Sequence, residues 1–204
     1  MREGAVVLAL LALPGLAARA QDSCTGAHYR WTVKTTLEMR DAAALKTTPV
    51  AMLKWKALPL YRGPVGGHDC TPRAGHELKV YAVTGWARSW HIERGRKGDL
   101  DWHIELSGGQ HTDSSSCIVV EIPDPKYGAV FDTARAEFLD ALGESKPNKG
   151  KWLVPPVKIT VIGPAFFDGE HRGAKGSGKP PSGHGHCNSS DSALWEIHPV
   201  YVVQ

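Results

Sequence analysis

Three β-type runs, the second and third with clean period-two alternation, one helical stretch ending in glycine, and two further β-type runs follow one another through the last two-thirds of the chain. That order predicts a mainly β protein, a five-stranded OB-like barrel (β-β-β-α-β-β) over residues 76–204. An irregular N-terminal extension, residues 21–75, is expected to pack on it without a core of its own.

Residues 1–20 read as a signal peptide. Arg2 supplies the positive start, Ala5 to Ala18 is apolar apart from Pro14 and Gly15, and Ala18-Arg19-Ala20 matches a cleavage site. A secreted or periplasmic protein cut near Ala20 is expected, with no membrane span, because about fourteen apolar residues are too few to cross a bilayer. In the extension, Tyr29 to Thr35 reads as a short strand and Thr48 to Leu58 as a few helical turns. Pro59, Pro64, Gly66, Gly67 and Pro72 then make a loop-rich approach to the barrel.

The first barrel strand is expected over Leu78 to Arg88. The second, Leu100 to Leu106, places Leu100, Trp102, Ile104 and Leu106 on one face and Asp101, His103 and Glu105 on the other. The third, Cys117 to Ile122, turns Ile118, Val120 and Ile122 inward and Glu121 outward, and Pro123 and Pro125 stop it. Phe131 to Leu142 carries apolar residues at helical spacing, with Asp132 near its start and Gly143 as its stop. Val157 to Phe167 and Leu194 to Val203 complete the barrel, and Pro199 limits pairing in the last run. Residues 168–192, rich in Gly, Ser, Pro and His, form a long loop, a length that goes with function or disorder.

Removing Arg2, Arg19 and Glu3 from 24 basic and 21 acidic residues leaves 22 and 20, a net of +2. No global field argues for nucleic acid or membrane partners. Cys24, Cys70, Cys117 and Cys187 form no C-x-x-C pair, so an exported chain favours disulfides over a metal cluster. Four cysteines permit three pairings; in the expected topology the third strand starts where the long loop arrives, which favours Cys117 with Cys187 and then leaves Cys24 for Cys70. No G-x-S-x-G, G-x-x-x-x-G-K-[ST] or H-E-x-x-H motif is present.

The same topology sets the third strand between the second and the fifth. Their outward residues, Asp101, His103 and Glu105, then Glu121, then Glu196 and His198, share one solvent-facing surface, with strands about 4.8 Å apart. His103, His198 and Glu121, with His171 from the loop, are candidate ligands for one divalent metal, zinc or similar. Glu196, Asp101 or Asp168 is then a candidate general base. The ordinary alternative is a solvated polar face with cross-strand His and Glu pairs. His184-Gly185-His186-Cys187 is a second, short tract with metal-binding residue types. Arg88, Trp90, Arg94, Arg96 and Lys97, with His91 among them, interleave cations and aromatics in a manner suited to single-stranded nucleic acid. The near-neutral total disfavours that partner. Two functions follow: a binding module with its ligand on the polar face, or a metal-dependent hydrolase of phosphodiesterase or nuclease type using the same face.

Arg30-Trp31-Thr32-Val33-Lys34-Thr35, Asp99 to Leu106, Val120 to Pro125, Phe166-Phe167-Asp168 with His171, and Glu196 to Val200 occur together and in order. They resemble the RWxVKT, DxHLVL, EIPDP, FFDxxH and ELHPV segments of a widespread family of exported bacterial proteins of unknown function. The resemblance covers most of the mature chain and implies bacterial origin and export, with no mechanism attached. The chain departs from that pattern at Lys126-Tyr127, where the group has a cysteine, and in a longer stretch between His171 and Glu196.

Overall fold

The computed structural model describes residues 29–59, 71–94, 99–110, 116–171 and 184–204. The signal-peptide reading, Cys24, Cys70, Arg96 and Lys97 lie outside the described residues.

The chain is mainly β. Its elements run α1 (Trp31–Thr35), β1 (Ala44–Thr47), α2 (Pro49–Met52), β2 (Val80–Ile92), β3 (Trp102–Ser107), β4 (Cys117–Ile122), α3 (Ala129–Leu142), β5 (Lys146–Pro147), β6 (Trp152–Phe167), β7 (Trp195–Ile197) and β8 (Val202–Val203). One mixed sheet takes them in the order β1-β2-β3-β4-β7-β6-β5, with β8 on β6 and a further pairing of β2 with β6. The sheet thus holds eight strands rather than the expected five. The extra pieces are short: β1 at one edge, β5 at the other, and β8, which resumes pairing after Pro199 interrupts the last run. β4 and β7 run parallel, and the other pairs among β2, β3, β4, β6 and β7 are antiparallel.

The N-terminal part differs most from its sequence-based reading. Tyr29 to Thr35 is not a strand; Trp31–Thr35 is a one-turn helix, and the strand of this region is β1, parallel to β2. Tertiary contacts override the β-branched composition here. Arg30, at φ 48°, sends its guanidinium in a fork to Glu77, at 2.6 and 3.0 Å, and both residues are buried. Glu77 also accepts from the backbone N–H of Phe167 and of Ala74, so every bond the carboxylate needs is made. Arg73 donates to Val33 O and Ala165 O, stitching α1 to β6.

The apolar faces of β3 and β4 pack on α3. Phe131, Ala134, Phe138 and Leu142 form one buried stripe of that helix, and Phe138 meets Trp90 and Trp102 edge-on. Gly143, at φ 53°, ends the helix as its sequence position suggests. Trp102, Ile104, Leu106, Ile118, Val120 and Ile122 are all at the floor of this core. Their polar neighbours on the opposite face are therefore fixed by alternation alone. No helix among the described residues is long and apolar enough to cross a membrane.

Candidate functional site

A single row of polar side chains crosses four strands. His91 of β2 lies directly opposite His103 of β3, and His103 lies opposite Glu121 of β4. Since Val120 pairs with Ile197, the next positions bring Glu121 beside His198, just past β7. The Glu121 carboxylate spans the two central imidazoles: Oε1 is 3.0 Å from His103 Nδ1 and Oε2 is 2.9 Å from His198 Nδ1. The sequence-predicted trio of His103, Glu121 and His198 is thus brought together. Asp101 joins it, with Oδ2 3.2 Å from His198 Nε2, and Glu196 Oε2 stands 3.5 Å from His198 Nδ1.

This face is not turned to solvent, contrary to the alternation-based expectation. Asp101, His103, Glu105, Glu121, Glu196 and His198 are all buried. Two pieces remote in sequence cover them. The first is α1, whose Lys34 reaches in to Asp168 Oδ2 at 3.2 Å and lies 5.2 Å from the Phe166 ring. The second is the segment around His184–Cys187, held down by the Cys117–Cys187 disulfide, whose Cα atoms are 5.0 Å apart. His184 Nε2 meets Glu196 Oε1 at 2.6 Å, and His184 Nδ1 meets the Cys187 carbonyl. His186 donates its backbone N–H to Glu105, holds the same carboxylate with its ring, and stacks on Trp152. Gly185 passes between them at φ 58°, where a Cβ would run into the Glu105 carboxylate and His103 Nε2.

Proton affinities follow this arrangement. Burial pushes the Glu121 carboxyl up, but the contacts with His103 and His198 outweigh it and hold its pKa well below the usual range. Burial likewise works against imidazolium at His198 and His103. The carboxylates of Asp101 and Glu121 raise His198 well above an ordinary histidine, and Glu121 raises His103. Glu196 is held low despite burial and the nearby charges of Glu121 and Asp168, through His184 and His198. Asp168 is held below the carboxylate range by Lys34 and His171 against the opposing effect of burial. Its partner His171, 3.1 Å away, is raised to about 9 although burial opposes the charge.

Carboxylates surround His198 without lying along its N–H directions. Both ring nitrogens of His198, Asp101 Oδ2, Glu196 Oε2 and His103 Nε2 are buried and have no hydrogen bond among the described residues. Such atoms are costly to leave uncompensated. Donor atoms of Asp101, Glu121 and His198 all lie within 4.8 Å of one another, as do those of His91, Glu93 and His103. A third group, Glu105 with Cys117 and Cys187, offers no thiolate, because both sulfurs are in the disulfide.

The remaining expected site residues fall elsewhere. Asp168 pairs with both His171 and Lys34, and neither Asp168 nor His171 is among these donor groups. Arg88 lies over the Trp152 ring and Trp90 packs on Trp102 and Phe138, so both serve the hairpin's own packing. Arg94 lines a cleft of ≈ 300 Å³ with Trp90, His91, Ile92, Pro147, Asn148 and Lys151. His91 and Glu93, 2.7 Å apart, were not expected as a metal-type pair. The signal that finds them is the hairpin register that sets His91 opposite His103. Lys34 carries no local signal of its role.

No protein-family model, no curated protein and no solved structure matches this chain.

Proposed function

We propose that the protein is an exported OB-like binding module whose ligand is a divalent cation held by Asp101, Glu121 and His198. The pairing circuit β2-β3-β4-β7-β6 and back to β2, with α3 between its third and fourth strands, supports the OB-like reading. The disulfide and the leader-like pattern of residues 1–20 support export.

One observation carries the cation reading: donors from β4, from the residue before β3 and from the residue after β7 lie within 4.8 Å of one another in the interior, while Asp101 Oδ2 and both His198 nitrogens lack a hydrogen bond among the described residues. Two carboxylates and a neutral imidazole carry a charge of −2, which a dication offsets where burial makes the uncompensated charge expensive. Mixed oxygen and nitrogen donors suit zinc and its first-row neighbours better than calcium. Asp101 and Glu121 raise the proton affinity of His198, so a cation competes with a proton for this ring and binds more strongly as pH rises.

A second reading, a metal-dependent hydrolase acting on a phosphoester-type substrate, draws on two features. Glu196 Oε2 is unpartnered beside His198, in position to take a proton, and Arg94 and Lys151 line the cleft next to His91. Asp168 is the weaker candidate base, because Lys34 and His171 already hold it. Elemental analysis of protein purified without chelators tests the shared premise. Bound zinc, manganese or iron is expected in the parent and is lost in His198→Ala and Asp101→Asn; a metal-free parent ends both readings.

A further inference from the structure

The polar row continues past His103 to the surface, and the geometry points to a second divalent-cation position formed by His91, Glu93 and His103, sharing the Glu121 carboxylate with the first. This inference rests on reading Asp101, Glu121 and His198 as a cation site. His91 Nε2 is 2.7 Å from Glu93 Oε1, and His103 Nδ1 lies 3.9 Å from that same oxygen and 3.0 Å from Glu121 Oε1. Two imidazoles and a carboxylate are a donor set that leaves coordination positions open.

Spacing and charge agree with a pair of ions. Neighbouring strands stand about 4.8 Å apart, so adjacent positions along the row suit two metals bridged by one carboxylate, which lie roughly 3.5–4 Å apart. Glu121 would bridge, since its two oxygens already face opposite imidazoles. Glu93, Asp99, Asp101 and Glu121 gather four carboxyl groups around these imidazoles, near enough for Glu93 and Asp99 each to feel the charge of Glu121. A second dication offsets part of the charge of these carboxylates and of the neighbouring Glu105 and Glu196. The two positions differ in access. Glu93 is 42% exposed and His91 17%, whereas Asp101 and His198 are fully buried. The outer ion is therefore the exchangeable one, and it opens on the cleft lined by His91, Arg94 and Lys151.

The test is to strip the full chain of metal, titrate it with zinc chloride and count bound zinc after desalting. Two equivalents are expected in the parent. His91→Ala and Glu93→Gln, both at partly exposed positions and checked for native fold by circular dichroism, are each expected to lose one and to keep the inner one. An equal count in the parent and in both variants overturns the second position, and if His198→Ala still removes zinc the first position stands. No zinc in the parent overturns the first position and this one with it.

Discussion

Lys34→Met removes a buried ammonium from the carboxylate cluster and puts a number on what α1 contributes. Lys34 and Asp168 are 8% and 1% exposed and 3.2 Å apart, so solvent screening gives little discount. At an effective dielectric near 20, that separation corresponds to about 5 kcal/mol of gross attraction. Deleting one partner of such a pair costs about 3–5 kcal/mol, because the other charge is stranded. His171 remains beside Asp168 and softens the loss, which places the expectation near 3 kcal/mol. For a chain of this size that is roughly 6–12 °C in Tm. Urea denaturation of Lys34→Met, Asp168→Asn and the double variant is the assay. The double variant is expected to lose about 2 kcal/mol less than the sum of the singles, since no charge is then stranded. A Lys34→Met loss below about 1 kcal/mol, or additive losses, refutes the claim that α1 is held by this charge pair.

Gly185→Ala is expected to cost more than about 1 kcal/mol, since it combines a left-handed backbone with a Cβ pressed on Glu105 and His103; an unchanged denaturation midpoint would count against the close passage of this segment. Replacing Cys117 and Cys187 together by serine opens a 70-residue loop and is expected to cost about 2–5 kcal/mol, with faster hydrogen exchange at the His186 amide that Glu105 accepts. If that amide stays equally protected, the disulfide is not what holds the cover down. His171 has a folded-state pKa of about 9, above its unfolded value of about 6.5. Its contribution is therefore full below about pH 6.5 and fades as pH rises through about 9. The stability gap between the parent and His171→Ala should narrow over that window. A gap that is constant from pH 6 to pH 10 contradicts the Asp168 pairing.

Alternation in Asp101 to Leu106 and Cys117 to Ile122 made the central strands legible, because a sheet with one apolar face must sort its residues by parity. The same parity put Asp101, His103, Glu105 and Glu121 on one face. It did not show whether that face meets water. Burial comes from α1 and the His184–Cys187 segment, which reach the face only through contacts such as Lys34 to Asp168, 134 positions away, and the Cys117–Cys187 bond. A one-turn helix such as Trp31–Thr35 has too few internal bonds to be set by its own residues, so its strand-like composition misled. β1 was missed for a related reason: its four residues are mostly exposed at the edge of the sheet and carry no alternating apolar pattern. His91 was legible as a cation beside aromatics, while its place opposite His103 depends on register, which one inserted residue changes, and β2 has such an irregularity between Ala87 and Ser89.

The most direct measurement of the cation reading is anomalous diffraction from crystals of the zinc-treated protein, recorded on either side of the zinc absorption edge. A peak about 2.0–2.2 Å from oxygens of Asp101 and Glu121 and from a ring nitrogen of His198 is the expected result. Ordered water at that point, with zinc absent or bound only to surface imidazoles, would contradict it.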